Sequence, residues 1–91
     1  MLALEITGQF KRDYKREKPG RHTDLDAVFK ATVDLLVSET PLPVANRDHP
    51  LKGDWKGCRD CHLKPDLVLT YRKTRTSIEL LRLGSHSELF S

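Results

Sequence analysis

Apolar and polar positions follow two different rhythms along the chain. A short apolar run, "LALEIT" at 2–7, stops at Gly8 and predicts a strand, suited to a sheet edge. In "GQFKRDYKREK", Phe10 and Tyr14 stand four apart in a charged background that ends at Pro19-Gly20, which predicts a short helix with a thin apolar stripe. Thr23 followed by Asp26 resembles a capping box. Beyond it Leu25, Val28, Phe29, Thr32, Leu35 and Leu36 recur at helical spacing to about residue 37, and Thr40-Pro41 and Pro43 end the pattern. A link of about four residues between the two predicts an antiparallel helical hairpin. The Pro-rich stretch 38–54 predicts an ordered loop. After it the spacing turns strand-like in "CRDCHL", in "LVLTYRK" at 67–73 and, past a turn at 73–76, in "SIELLRL" at 77–83. "HSELF" predicts a C-terminal turn or tail. The order strand, helix, helix, three strands predicts an α+β fold, an N-terminal helical hairpin packed on one face of a four-stranded sheet.

With 91 residues, one domain spanning 1–91 is expected. A hydrophobic share of 37% and a charged share of 32% exclude a disordered chain. The net charge of +3 is unevenly spread. Residues 1–50 carry eight Lys/Arg against eight Asp/Glu, and residues 51–91 carry eight against five. The run "KRDYKREKPGR" at 11–21 is either a solvated helix face or, with the C-terminal surplus, a surface for a polyanion. The opening "MLALEITGQF" has no basic segment and no long apolar run, so no export signal and a cytoplasmic location are expected, with no membrane span. Two cysteines in a reducing compartment predict free thiols.

Cys58-Arg59-Asp60-Cys61-His62 spells C-x-x-C-H, the pattern of covalent haem attachment. That chemistry takes place outside the cytosol, and the sole methionine, Met1, is a poor source of a sixth ligand. On a strand, Cys58 and His62 share one face and Cys61 the other, which also splits a zinc ligand set. Three residues of strand span about 10 Å, too far for a disulfide. The cysteines therefore read as small side chains filling strand positions, and no metal or cofactor is expected.

His49 in "DHP", His62 and Asp66 in "CHLKPD", Arg82 near a strand end and His86 after Gly84 all lie beside turn-formers, where catalytic groups are often placed. A lone histidine is more often a surface residue. Several imidazoles with a carboxylate and a guanidinium match the needs of RNA cleavage at its own 2′-hydroxyl: a base, an acid and a fixed cation for the phosphoryl charge. Trp55, Tyr71 and Phe90 are aromatic candidates for base stacking, with Tyr71 better read as core.

The stretches "DHPLKGDWKGCRDCHLKPDLVLTYR" at 48–72 and "LLRLGSHSELF" at 80–90, with "PLPVANRDHPLKGDWKG" from residue 41, resemble the YafQ branch of the RelE-type toxins, the toxin halves of type II toxin–antitoxin pairs. The resemblance covers nearly the whole chain and is vaguest over the first 40 residues. It implies a RelE-like α+β fold with two helices on a curved, mostly antiparallel sheet. It also implies a ribosome-dependent, metal-independent endoribonuclease that cuts mRNA in the A site and needs no cofactor. By the resemblance, His49, His62 and Asp66 handle the 2′-OH proton and orient the RNA, Arg82 stabilises the phosphoryl charge, His86 is the general acid and Phe90 supports substrate placement. Lys52, Trp55, Lys56 and Arg72 are expected to bind substrate. Helix 11–21, with these cations and Lys64, Lys73 and Arg75, is expected to touch the 16S rRNA of the 70S ribosome. The implied partners are mRNA, the ribosome and a cognate antitoxin of ribbon-helix-helix type, with operator DNA reached only through that antitoxin. The cysteines stand where the family carries other residues. The competing readings are a non-catalytic ParE-type toxin that binds a protein target and a small metal-binding protein.

Overall fold

The computed structural model describes residues 1–18 and 24–90. Strand β1 (Ala3–Ile6) leads into helix α1 (Gly8–Glu17), followed by α2 (Leu25–Val37). Strands β2 (His49–Pro50), β3 (Arg59–Lys64), β4 (Leu67–Lys73) and β5 (Ser77–Gly84) follow, and a short helix α3 (His86–Phe90) closes the chain. Thr7 starts α1 by accepting a hydrogen bond from Phe10 N at 3.1 Å, while its own hydroxyl donates to Leu80 O at 2.8 Å. One side chain thus caps the helix and ties its start to β5. The predicted turn at Pro19-Gly20 and the predicted helix start at Thr23 lie outside the described residues. Asp24 occupies the N-cap of α2 without a side-chain cap bond. Asp26 instead accepts the Tyr14 hydroxyl, which joins the two helices.

The sheet has five strands in the order β1-β5-β4-β3-β2, rather than the four expected. The extra strand is β2, two residues long, pairing His49 with Asp60 and Pro50 with Arg59. Two residues, one of them proline, are too few to show any alternation, so the segment reads as loop until its partner strand is in place. β1 pairs in parallel with β5, with Ala3 opposite Ser77 and Ile6 opposite Leu80, and the other pairs are antiparallel. The helical hairpin therefore links β1 at one edge of the sheet to β2 at the other, and β5 returns beside β1. All four β1 residues are exposed, as suits an edge.

One sheet face carries the core. Cys61 and Leu63 of β3, Leu69 and Tyr71 of β4, and Ile78, Leu80 and Leu83 of β5 pack with Phe10 of α1 and Leu25, Val33 and Leu36 of α2. Phe10, Tyr14 and Phe29 form a ring cluster with centroids 5.1–5.9 Å apart, which welds the helices together. A bulge in β5 sets Thr70 opposite Arg82 but Tyr71 opposite Leu80, so Leu81 is the unpaired extra residue.

The two thiols are free and differ in setting. Cys61 is fully buried in the core, and burial pushes its thiol up to about 12. Cys58 lies just before β3 and is half-buried. Alkylation of the native protein at pH 8 is expected to modify Cys58 and spare Cys61, because a buried thiol with so high a pKa forms almost no thiolate. Peptide mass mapping reads this directly, and equal labelling of both would contradict the packing.

Candidate active site

On a sheet, directly paired residues project to the same side. Asp60 pairs with His49 on one flank and Thr70 on the other, and Thr70 pairs with Arg82. A single row across four strands therefore reads His49, Asp60, Thr70, Arg82, on the face opposite Cys61 and Leu69. His62, two residues beyond Asp60, joins the same face and pairs with Val68, which in turn pairs with Gly84. Residues 10 to 12 positions apart in sequence thus become neighbours through strand register alone.

Helix α3 brings in the third imidazole. Its start is a capping box: Glu88 N donates to Ser85 Oγ at 3.2 Å, and Ser85 N donates to Glu88 Oε1 at 2.9 Å. The S-x-x-E spacing at 85–88 was the available sequence signal for this helix, which the periodicity predicted only as a turn or tail. Gly84 allows the helix to fold back closely. A Cβ at that position would come within 3.3 Å of Leu89 Cδ2. The fold-back places His86 Nε2 4.0 Å from Asp60 Oδ2. The His86 and Phe90 rings stand one turn apart, 5.1 Å between centroids, and Phe90 meets Trp55 edge-on at 5.6 Å. Trp55 sits in a one-turn 3-10 helix, Gly53–Trp55, flanked by exposed Lys52 and Lys56.

Two of the histidines are oriented by backbone carbonyls. His49 Nδ1 lies 2.7 Å from Arg47 O, and His62 Nδ1 lies 3.3 Å from Pro65 O. A carbonyl only accepts, so Nδ1 carries the hydrogen in each ring, and the neutral form keeps its lone pair on Nε2. Three further contacts fix the loop that carries His49. Asp48 accepts from Tyr71 Oη at 2.6 Å and Arg59 Nε at 3.1 Å, and Asn46 donates to His62 O at 2.7 Å. Tyr71 is thus a core residue, as its sequence context suggested, whose hydroxyl also anchors the loop.

Two buried carboxylates at this site escaped sequence reading. Asp60 is fully buried and accepts from Thr70 Oγ1 at 2.9 Å. Burial raises its pKa, opposed by the Thr70 bond and then by the charges of His49, His86 and His62. Asp13 of α1 is also fully buried. It receives Arg82 Nε at 2.8 Å, Arg82 Nη2 at 3.4 Å, Leu83 N at 3.0 Å and Gln9 Nε2 at 3.0 Å. Burial works against the Asp13 charge, but the bonds from Arg82, Leu83 and Gln9 prevail and hold its carboxyl below the usual range. Arg82 is thereby clamped side-on, which leaves the other edge of its fork for a further anion.

The remaining expected residues are placed less centrally. Asp66 lies exposed in the β3–β4 turn, next to the Pro65 carbonyl that orients His62. Arg72 is bound by its direct cross-strand partner Glu79 at 2.6 Å. Lys73 pairs with Glu39 at 2.9 Å, and Lys64 pairs with Asp24. Part of the expected cationic surface is thus already matched by carboxylates. Among the described residues no three His, Cys, Asp or Glu side chains are grouped to hold a metal ion. The ligand set Cys58, Cys61 and His62 is not assembled, since Cys61 faces the core and His62 the opposite side.

The chain has counterparts among known proteins. The chain is 41% identical over 88 residues to the mRNA interferase toxin YafQ of Escherichia coli K12, covering 96% of this chain and 94% of that one. The crystal structure of a copper-bound mutant toxin from Helicobacter pylori superposes with a TM-score of 0.92 at 40% identity, covering 99% of this chain and all of that one. YafQ in the E. coli DinJ–YafQ complex superposes with a TM-score of 0.88 at 38% identity over the full length of both chains. Residues 2–91 match the model of the family described as the bacterial toxin of type II toxin–antitoxin systems, YafQ. The α+β fold and the helical hairpin on a mostly antiparallel sheet thus belong to a chain that is a member of the YafQ toxin family of type II toxin–antitoxin systems.

Proposed function

We propose that this chain is a ribosome-dependent, metal-independent mRNA endoribonuclease that arrests translation by cutting mRNA in the A site. The observation that carries the reading is the convergence of His49, His62 and His86 from three separate elements on one sheet face, beside a clamped arginine. The identity to an E. coli protein named as an mRNA interferase supports it.

In this reading Nε2 of His49, with His62 as its neighbour, takes the 2′-hydroxyl proton. O2′ attacks the adjacent phosphorus and the bond from phosphorus to O5′ breaks. His86 gives a proton to the leaving O5′, so the products are a 2′,3′-cyclic phosphate and a 5′-hydroxyl. The outer edge of Arg82 faces the charge that builds on the phosphoryl oxygens. Phe90 and Trp55 form a wall against which an unpaired base can stack, with Lys52 and Lys56 placed for the backbone phosphates. Asp66 and Arg72 orient the RNA farther out. No step passes through a metal ion. A cognate antitoxin, as DinJ is for the E. coli protein, completes the system. We take it to be of ribbon-helix-helix type and to link the toxin to operator DNA, with the toxin acting in the cytoplasm.

The test is chelator-treated protein added to 70S ribosomes programmed with a defined mRNA. The expected result is cleavage with cyclic-phosphate and 5′-hydroxyl ends, abolished by a single 2′-deoxynucleotide at the cut. Ends bearing a 5′-phosphate, or cleavage that survives the deoxy substitution, would refute the mechanism.

A further inference from the structure

Asp60 lies between the three imidazoles yet has no contact with solvent, at 0% exposed. Its Oδ1 is filled by the Thr70 hydroxyl. Its Oδ2 is, among the described residues, the buried side-chain polar atom left without a hydrogen-bond partner. A buried acceptor without a donor is unfavourable, the more so if it is charged, so a retained one calls for a reason. The group nearest to filling it is His86 Nε2, 4.0 Å away on an exposed ring.

We propose that Asp60 is a positioning residue of this site, a buried counter-charge onto which the His86 imidazolium closes when substrate covers the ring. The inference rests on the endoribonuclease reading and adds to it the residue that sets the charge state of the acid. The geometry fits that role. A shift of about 1 Å brings Nε2 within hydrogen-bond reach of Oδ2, and the cost of the unfilled acceptor then becomes a gain realised only in the closed state. The other charged groups around Asp60 among the described residues each hold a partner of their own. His49 from β2 is tied through Nδ1 to Arg47 O, and His62 on β3 to Pro65 O. Arg82 of β5, two strands along the same row, is turned to Asp13 of α1. Arg59, beside Asp60, is engaged by Asp48. Burial lifts the Asp60 carboxyl, and the three imidazoles oppose that lift.

Two measurements test the proposal. In free protein, the Asp60 carboxyl carbon is titrated by NMR in the wild type and in His86→Gln. Loss of the imidazolium is expected to move the Asp60 midpoint to higher pH, because the cation that favours the carboxylate is gone. In ribosome-dependent cleavage, Asp60→Asn is expected to slow the reaction roughly 10–100-fold, short of the full loss of a proton-transfer group. It should also move the alkaline limb of the pH–rate profile toward lower pH, which a purely structural role would not do. An unmoved Asp60 midpoint in His86→Gln, or wild-type rate and profile in Asp60→Asn, overturns the proposal. If Asp60→Asn does not fold, the titration decides alone. Because the titration needs no RNA, failure of the wild type to cleave programmed mRNA would strike the enzymatic reading separately.

Discussion

Replacing His86 by alanine is expected to lower mRNA cleavage by roughly 10²–10⁴-fold and to abolish growth arrest on induction, with the fold and antitoxin binding intact. The ring is exposed and contributes nothing to the core. Its removal leaves Ser85 and Glu88 capping α3 and Leu89 buried, so the helix itself should survive. The comparison is made in a reconstituted ribosome assay, with co-purification of the antitoxin as the check on folding. A variant that cleaves at the wild-type rate would show that the proton reaching O5′ comes from elsewhere. The same experiment on Phe90 separates two effects. Phe90 faces both His86 and Trp55, so Phe90→Ala should weaken substrate placement without removing a titratable group.

The second large effect is on stability. Asp13→Ala should destabilise the protein by about 3 kcal/mol, the lower end of the loss on breaking a buried ion pair, since Arg82 keeps some contact with water. For a domain of this size that is a drop in Tm of roughly 10–20 °C. The carboxylate serves α1 and β5 together through Arg82, the Leu83 amide and Gln9, so deleting it orphans partners on both elements. The sign of the pH dependence follows from its depressed pKa. Its contribution is fully present above the ordinary carboxyl range near pH 4 and is lost as pH falls through the lower folded value. Thermal melts at pH 7 and pH 3 should therefore differ less in Asp13→Asn than in the wild type. Equal Tm values for Asp13→Ala and wild type at pH 7 would mean the pair contributes nothing. The carboxylate that supports the helix–sheet junction also fixes the guanidinium to which the proposed mechanism gives the phosphoryl charge.

Comparison of the two aspartates in the C-terminal half shows how far sequence reasoning reaches. Asp66 stands beside a proline in a turn, a local context that resembles an active-site loop, and the structure places it in an exposed turn. Asp60 lies between two cysteines in a strand and draws no attention by spacing, yet it occupies the centre of the three imidazoles. The difference is that burial of a polar group depends on what the neighbouring strands bring to it, and those neighbours are remote in the chain.

The amino-acid order alone determined the two helices, three of the later strands, the edge strand at the start, the basic surplus and which histidines are set beside turns. Each of these is a local property, carried by side-chain period or by a turn-former within a few residues. Strand pairing decided the rest. The two-residue β2 exists only because Asp60 and Arg59 are there to bond it. The bulge at Leu81 sets which β5 residues join the row. The fold-back of α3 over Gly84 delivers His86 to Oδ2 of Asp60. These are contacts between residues 9 to 26 positions apart, and their energies come from desolvation and cross-strand register, which no local pattern encodes.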